Sequence, residues 1–514
     1  MNSAIRGALA LGLLGVAPLA AQEADRGKAV YEKWCAQCHG DDGAGAGPAA
    51  SYMLPRPRDF VAALYQVRST ASGALPTDDD IMHAIDEGLP GTAMPGWKDM
   101  LSAADRRAVM QYLKTFSAFF ADSSQLPQAL DFGSAPGGGD DAIARGKVFY
   151  DSIGCHKCHG ALGRGDGTSA PELKDDNGFP MFAADLTQGW NFNGGSSAAE
   201  IYKRLRTGLD GTPMPSFSDL LDQKFLTDDE LWNVAQYVAS IAGTKPQVRD
   251  VVHAGRVEGA LPAGPADSAW AGVDSYFFPL VAQIIRKSRW FAPAVTGVWI
   301  QALHNGDTLA LRVTWHDRSE SPDTAWLQHV TRVYRVLAQD DTVPVGRFPD
   351  LLTVQFPRRI PAAMERPYFL MGTPQDAAYQ WRWSSTTADR GVAGLARGLD
   401  RFDALAGAAL DAQARFDQGE WSVVFKRALA TADTTNELQF RTGRAIPIAF
   451  FASDGSNGEH GARMAVSTWY FLALDEPTPL RVYVSPVIAA ALTLGLAMLW
   501  IRRAQRASDG SRRA

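Results

Sequence analysis

Trp34-Cys35-Ala36-Gln37-Cys38-His39-Gly40 carries a C-x-x-C-H sequence, and Cys155-His156-Lys157-Cys158-His159 repeats it from position 35 to position 155, 120 positions on. This is the spacing of a covalent c-type haem attachment site. Two thiols three positions apart reach the two vinyl groups on one porphyrin edge. The imidazole beside the second thiol then falls under the iron as proximal ligand. The pattern assigns Cys35, Cys38, Cys155 and Cys158 to haem attachment, with His39 and His159 on the two irons.

Everything downstream of the motif recurs with it. Gly43, Gly45 and Gly47 match Gly163, Gly165 and Gly167, Gly88-Leu89 matches Gly208-Leu209, and Gly91-Thr92-Ala93-Met94-Pro95 matches Gly211-Thr212-Pro213-Met214-Pro215. Read linearly, the register holds without a gap. His39 to Met94 and His159 to Met214 both span 55 positions. A repeat of this period means two similar small domains. A thioether held on a tight turn late in each domain suits the sixth iron position, so Met94 and Met214 are the expected distal ligands.

Residues 24–120 and 142–243 resemble class I cytochrome c domains, an all-α fold of a few helices around one haem. Helical periodicity agrees. Ala24–Trp34 is amphipathic. Ala103, Val109, Met110, Tyr112, Leu113 and Phe116 fall at helical spacing after a cap at Ser102, and Thr227-Asp228-Asp229-Glu230 opens the matching helix as a capping box. Pro55-Arg56-Pro57-Arg58 resembles a loop of respiratory multihaem cytochromes, and its two arginines either reach haem propionates or stand on an exposed turn.

The 514 residues are expected to form about three domains, and a net charge of −6 argues against a nucleic-acid partner. Met1–Ala21, with Arg6 ahead of an apolar run, reads as a secretory signal peptide, cleaved after Ala20 or Ala21. The domains expected are 22–125 and 142–245 for the cytochromes, with 126–141 as linker, then a further domain at 250–478. All four cysteines belong to the two haem motifs, which leaves none for a disulfide, an iron–sulfur cluster or a thiolate nucleophile. No catalytic residue is assigned. The histidines at 253, 304, 316 and 329 have no zinc-site spacing, and His316-Asp317 reads as an ion pair at a strand end.

After Pro246 the pattern becomes one of alternating strands. Val298–Leu303 and Leu309–Trp315 form a hairpin on the Asn305-Gly306 turn. Leu351–Phe356, Trp421–Phe425, Ile446–Ala452 and Ala465–Leu472 are further strands, and helix is expected over Leu399–Phe416. The fold class is therefore two all-α cytochrome domains, a mainly-β sandwich with a helical insertion, and one C-terminal transmembrane helix.

The third region resembles the haem b-binding γ-subunit of the ethylbenzene dehydrogenase group, type II molybdenum enzymes of the dimethyl sulfoxide reductase family. The matching stretches are Leu311-Arg312-Val313-Thr314-Trp315-His316-Asp317, Val354-Gln355-Phe356-Pro357, Phe369-Leu370-Met371-Gly372, Gln380-Trp381-Arg382-Trp383 and Val466-Ser467-Thr468-Trp469-Tyr470. The resemblance puts one haem b ligand on Met371. The family's second ligand, a lysine, is replaced here by Arg463-Met464-Ala465. An arginine does not give up its proton to an iron, which leaves Met464, or His460 on the same loop, or a sandwich that lacks haem and serves as a docking scaffold.

Val482–Ile501 is twenty residues without a charge, enough to cross a bilayer, and Arg502, Arg503, Arg506, Arg512 and Arg513 follow it. The positive-inside rule puts the tail, 502–514, in the cytoplasm and the domains in the periplasm of a bacterial inner membrane. The expected function is a membrane-anchored electron-transfer subunit with two haem c and one haem b. It would pass electrons between a molybdopterin and iron–sulfur partner and a soluble cytochrome or terminal oxidase. The alternatives are a self-contained anchored carrier with a haem-free β domain, or a dihaem enzyme such as a peroxidase.

Overall fold

A computed structural model of the chain describes residues 19–290, 292–337, 346–362, 366–387, 389–476 and 480–511. Most of the expected signal peptide, and Arg512 and Arg513 of the tail, lie outside the described residues.

Each haem-motif segment forms a small helical domain. The first has helices Leu19–Trp34, Asp78–Glu87 and Ala103–Lys114, with a single turn at Ala36–His39. The second repeats them as Asp140–Ser152, Ala198–Thr207 and Asp228–Ile241, with the turn at His156–His159. The helix starts are those the sequence signals. Ser102 accepts the backbone N–H of Asp105, and Thr227 and Glu230 close a reciprocal capping box. In both domains the first and last helices cross at a glycine. A Cβ on Gly27 would lie 2.3 Å from the Ala108 carbonyl oxygen, and one on Gly146 would lie 2.0 Å from that of Asn233. Close to each crossing a buried tyrosine turns back to the haem motif: Tyr31 donates to the Gly40 carbonyl at 2.6 Å and Tyr150 to that of Gly160 at 2.7 Å.

The repeat register is not gapless in space. Arg58 and Ala184 supply equivalent carbonyls to the two motif histidines, yet they stand 19 and 25 positions after them. The second domain has a longer loop before this point and a shorter one after it, so the register is regained by the next helix. Equal totals concealed the two compensating loop changes.

Residues after Pro246 form a sandwich of two sheets joined by one shared strand. In Ala445–Ser453, residues Ala445 to Ile448 pair with the Tyr470–Leu474 strand, and Ala449 to Ser453 pair with Leu351–Pro357. One sheet continues through Val251–Arg256, Gly297–His304, Thr308–His316, Glu420–Ala428 and Asp411–Phe416. The other continues through Ala378–Ser384, Val392–Ala396 and Phe402–Ala404. Rings from both sheets meet in the middle: Trp315 and Trp383 at 5.9 Å, and Trp381 and Phe425 at 5.9 Å.

The expected hairpin is present, with Leu303 opposite Ala310 and Gly306 at φ 98°. The helix expected over Leu399–Phe416 is absent. That segment forms the edge strands Phe402–Ala404 and Asp411–Phe416, because pairing with neighbouring strands outweighs the helix propensity of its alanines. Among the described residues the α-helix of the domain is Thr324–Val336, capped by Asp323. The C-terminal helix, Leu480–Ser511, has a stretch, Val482–Gln505, long and apolar enough to cross a membrane, and none of that stretch is buried in the fold.

Replacing Gly146 by alanine puts a methyl group into the Asn233 carbonyl. Overpacking of this kind costs about 1–3 kcal/mol, and denaturant unfolding of the haem-loaded protein should show a loss of that size. Gly137→Ala, in a segment where a Cβ meets nothing within 4 Å, should be near neutral.

Candidate haem sites and the seam between the domains

The motif histidines are oriented by the backbone. His39 Nδ1 lies 2.9 Å from the Arg58 carbonyl oxygen and His159 Nδ1 lies 2.9 Å from that of Ala184. A carbonyl only accepts, so Nδ1 carries the proton in both rings and Nε2 keeps its lone pair for a metal. Burial lowers the pKa of both imidazoles, which keeps them neutral, the form that binds iron.

The methionine loops are likewise built twice. Met94 N–H donates to Thr92 Oγ1 at 3.1 Å, and Met214 N–H donates to Thr212 Oγ1 at 3.2 Å. Each methionine's carbonyl accepts the N–H of Leu89 or Leu209 at 3.0 Å. In the second domain Cys155, Cys158, His159 and Met214 line a single cavity of about 690 Å³. In the first, Cys35 and Met94 pack on one apolar core, where Tyr65 Oη and Trp97 Nε1 are buried without a hydrogen-bond partner. In the second domain paired thiols, an oriented imidazole and a thioether line one hollow, and in the first orphaned polar atoms share a core with Cys35 and Met94; both arrangements suit a covalently held haem.

The second cavity is not a private one. Its walls include Pro90, Gly91 and Thr92 from the Met94 loop, and Trp299, His316 and Arg318 from the β domain. The seam around it is polar and partly buried. Arg68 of the first domain, with no exposed surface, bonds the Thr207 carbonyl at 2.6 Å and the Asp210 carboxylate at 2.7 Å in the second. Arg204 answers with a bond to the Arg68 carbonyl at 2.9 Å. Arg56, one of the two arginines considered for a propionate, donates to the Ala50 and Val336 carbonyls and lies over Phe179, so it clamps three domains together. Arg164 reaches across to the Gln418 carbonyl at 2.6 Å and to Glu420 at 3.2 Å.

His316 does not pair with Asp317. Its Nδ1 meets Asp185 of the second cytochrome at 3.0 Å, and Asp185 directly follows the residue that orients His159. This contact could not be read from sequence, since 131 positions separate its partners. His329 Nδ1 donates to the Pro171 carbonyl at 2.8 Å, and burial pushes its pKa down to about 4, so it crosses the seam as a neutral ring.

In the β domain Met371 and Met464 come together in one buried cluster with Ala449, Phe451, Val466 and Trp469. Met371 is held in the left-handed region, φ 62°, by the bond from Gly398 N–H to its carbonyl at 2.8 Å. Arg382 Nη2 lies 3.7 Å from the Met371 sulfur, and the guanidinium stacks on Phe402 at 3.7 Å. Among the described residues no carboxylate forms an ion pair with Arg382. Burial pushes its pKa down to about 10. Arg382 also donates from Nε to Gln380 Oε1 at 2.9 Å, so the two thioethers stand beside a buried cation that would suit the acidic edge of a haem. His460 is directed elsewhere, stacked on Phe348 at 3.8 Å with Nδ1 on the Gly458 carbonyl. Arg463 lies over the Tyr334 ring.

Comparison with known proteins agrees with the helical half. The family model described as cytochrome c oxidase, cbb3-type, subunit III matches residues 22–113, and that described as cytochrome c matches residues 143–242. The chain carries two cytochrome c-type domains. It is 22% identical over 247 residues to a Haloferax mediterranei protein named as a respiratory nitrate reductase heme subunit, ORF7, covering 48% of this chain and 81% of that one. It is 26% identical over 231 residues to the cbb3-type cytochrome c oxidase subunit CcoP of Azospirillum sp., covering 43% of this chain and 62% of the relative, under two thirds of its length. Among solved structures, a chain of the Kuenenia stuttgartiensis reducing HAO-like protein complex is 44% identical, with 43% of this chain and 96% of that chain covered and a TM-score of 0.40. The two cytochrome domains make this an electron-transfer subunit related to those of respiratory complexes.

Two outcomes test the seam. Arg68→Met leaves Asp210 without its buried partner, and breaking such a pair costs about 3–5 kcal/mol. Thermal unfolding should then separate into earlier and later cytochrome transitions. The second outcome depends on pH. Burial alone would raise the Asp185 carboxyl, but the bond and charge of His316, with bonds from Thr187, hold it below the ordinary carboxylate value of 3.8. A depressed folded-state pKa stabilises the seam fully above that value and loses the effect as pH falls through the folded one. Amide protection at Thr187, the exchange rate relative to the intrinsic rate at each pH, should therefore fall below pH 3.8, and much less so in Asp185→Asn.

Proposed function

We propose that this chain is a membrane-anchored, periplasmic electron-transfer subunit of a molybdenum oxidoreductase complex. Cys35 and Cys38, with His39 and Met94, hold the first haem c; Cys155 and Cys158, with His159 and Met214, hold the second. When bound, each haem c carries one electron at a time. The chain's own residues orient the imidazoles, through the Arg58 and Ala184 carbonyls, and would offer each iron one nitrogen and one thioether sulfur. Histidine and methionine donors at both sites would favour electron transfer over substrate activation, which favours this reading over a dihaem peroxidase.

The observation that carries this reading is the shared cavity. The walls around Cys155, His159 and Met214 are contributed by both cytochromes and by the β domain. An electron arriving through the β domain would meet the second site first and the Met94 loop next. In the β domain, Met371 and Met464 would hold a haem b, with Arg382 available to an acidic group on it. The relative named as a nitrate reductase heme subunit supports membership of a respiratory complex. The molybdopterin and iron–sulfur partners rest on the resemblance of residues 250–475 to the γ-subunit group. Orientation rests on Arg502, Arg503 and Arg506 following the apolar stretch: by the positive-inside rule the tail would lie in the cytoplasm and the domains in the periplasm, and the signal-peptide reading of Met1–Ala21 supports the same side.

A pyridine haemochrome spectrum with acid–acetone extraction tests the assignment on the purified full-length protein. Two covalent haem c and one extractable haem b are expected. Met214→Ala should keep the covalent haem, lose the thioether signature of the second site in the oxidised spectrum and open that site to cyanide. Two covalent haems with nothing extractable would make the β domain a docking module and the protein a self-contained carrier.

A further inference from the structure

Three strands of the sandwich end at one buried point. Asp317 follows Thr308–His316, Asp350 precedes Leu351–Pro357, and Asp454 follows Ala445–Ser453. The three side chains are 4%, 0% and 3% exposed, and one carboxylate oxygen from each lies within 4.8 Å of the others. Like charges this close cannot all be ionised in a buried site without a counter-charge. Among the described residues no lysine or arginine makes an ion pair with any of them. Arg318, next in the chain, lies over the rings of Phe182 at 4.5 Å and Trp326 at 5.5 Å. It is the cation felt by the group, and its one charge is shared among Asp317, Asp454, Asp185 and Glu459, fewer positive than negative charges.

Hydrogen bonds hold the group in place but do not complete it. Asp350 accepts from Ser321 N–H at 2.9 Å, Gly455 N–H at 3.0 Å and Trp421 Nε1 at 3.0 Å. Asp454 accepts from the Ser321 hydroxyl at 3.2 Å and Asn457 N–H at 3.0 Å. Asp317 accepts Ser319 N–H at 3.2 Å through Oδ1. Its buried Oδ2 makes no hydrogen bond of good geometry; the Trp315 indole N–H, itself otherwise unpartnered, is the donor turned to the carboxylate. Oδ1 of Asn457, on the Asp454 loop, is likewise unpartnered. The acceptor capacity of the three carboxylates exceeds the donors that reach them, so what would complete the group is an electrophile. Burial, and for Asp317 and Asp454 the neighbouring acids, push all three carboxyl groups up, in the direction a cation would reverse.

We propose that Asp317, Asp350 and Asp454 form a structural binding site for a hard divalent cation, calcium. Only oxygen donors face the point, which excludes the softer metals that seek nitrogen or sulfur. Calcium tolerates irregular carboxylate sites, whereas magnesium demands near-octahedral geometry and holds its water. The cation ties three strand ends together directly behind His316, the residue that meets Asp185 of the second cytochrome. It thereby stiffens the seam at the cavity. The site is independent of how many haems the chain holds.

The test uses the full-length, haem-loaded protein in detergent. After desalting from calcium-containing buffer, elemental analysis should find about one calcium per chain, as for a closed carboxylate site. Chelation with EGTA should remove it and lower the thermal midpoint, and calcium, but not equal magnesium, should restore it. Asp454→Asn should bind no calcium at this stoichiometry and show a midpoint indifferent to calcium. Should that variant fail to fold, the wild-type titration decides alone. No retained divalent metal, together with a wild-type midpoint unmoved by calcium, overturns the site and leaves shared protons to neutralise the acids. Restoration by magnesium alone, or calcium undiminished in Asp454→Asn, overturns the assignment equally.

Discussion

An imidazole presents one nitrogen to a metal only when its other nitrogen is committed elsewhere. Here that commitment is a backbone carbonyl, Arg58 for His39 and Ala184 for His159, both at 2.9 Å. The haem motif supplies the histidine but not the carbonyl, which comes from a separate loop held against the motif by the packing of the domain. In the second domain the same loop continues into Asp185 and so into the seam with the sandwich. The orientation of one ring is thus tied, through a single peptide and one ion pair, to the position of a domain whose contact residue lies 131 positions away.

That tie needs a stiff frame on both sides. On the cytochrome side it is the helix crossing at Gly27 or Gly146, where the backbones approach too closely for any side chain. On the sandwich side it is the strand Ala445–Ser453, which belongs to both sheets and so fixes their separation. Asp454, at the end of that strand, and Asp317, beside His316, lie where the two sheets and the seam converge. Buried acids at such a point are expensive unless something pays for them, and the hydrogen bonds present satisfy only part of their capacity.

Much of this was legible before any fold was known. The paired motifs, the methionine spacing, the caps at Ser102 and Thr227, the Asn305-Gly306 hairpin and the apolar C-terminal helix all rest on local chemistry with a short reach. Misreadings arose where local preference met tertiary demand. The alanines of 399–416 favour helix, yet a sheet edge claimed them. The gapless repeat was an artefact of two loop changes that cancel in the count. For Arg56 the sequence left a propionate contact or an exposed turn open, and its guanidinium goes to carbonyls of its own domain and of the sandwich.

By itself, the sequence determined two cytochrome c-type domains with their thiols, imidazoles and thioethers, a strand-rich third region and a helix suited to a bilayer. Each of these is a matter of spacing along the chain, and spacing is what a sequence records. Only the tertiary structure decided that the second haem cavity is walled by all three domains, that His316 meets Asp185 and not Asp317, that Met371 and Met464 share one cluster, and that three distant aspartates converge. Those are contacts between residues tens to hundreds of positions apart, chosen by how the sheets and helices pack, and no local pattern encodes them.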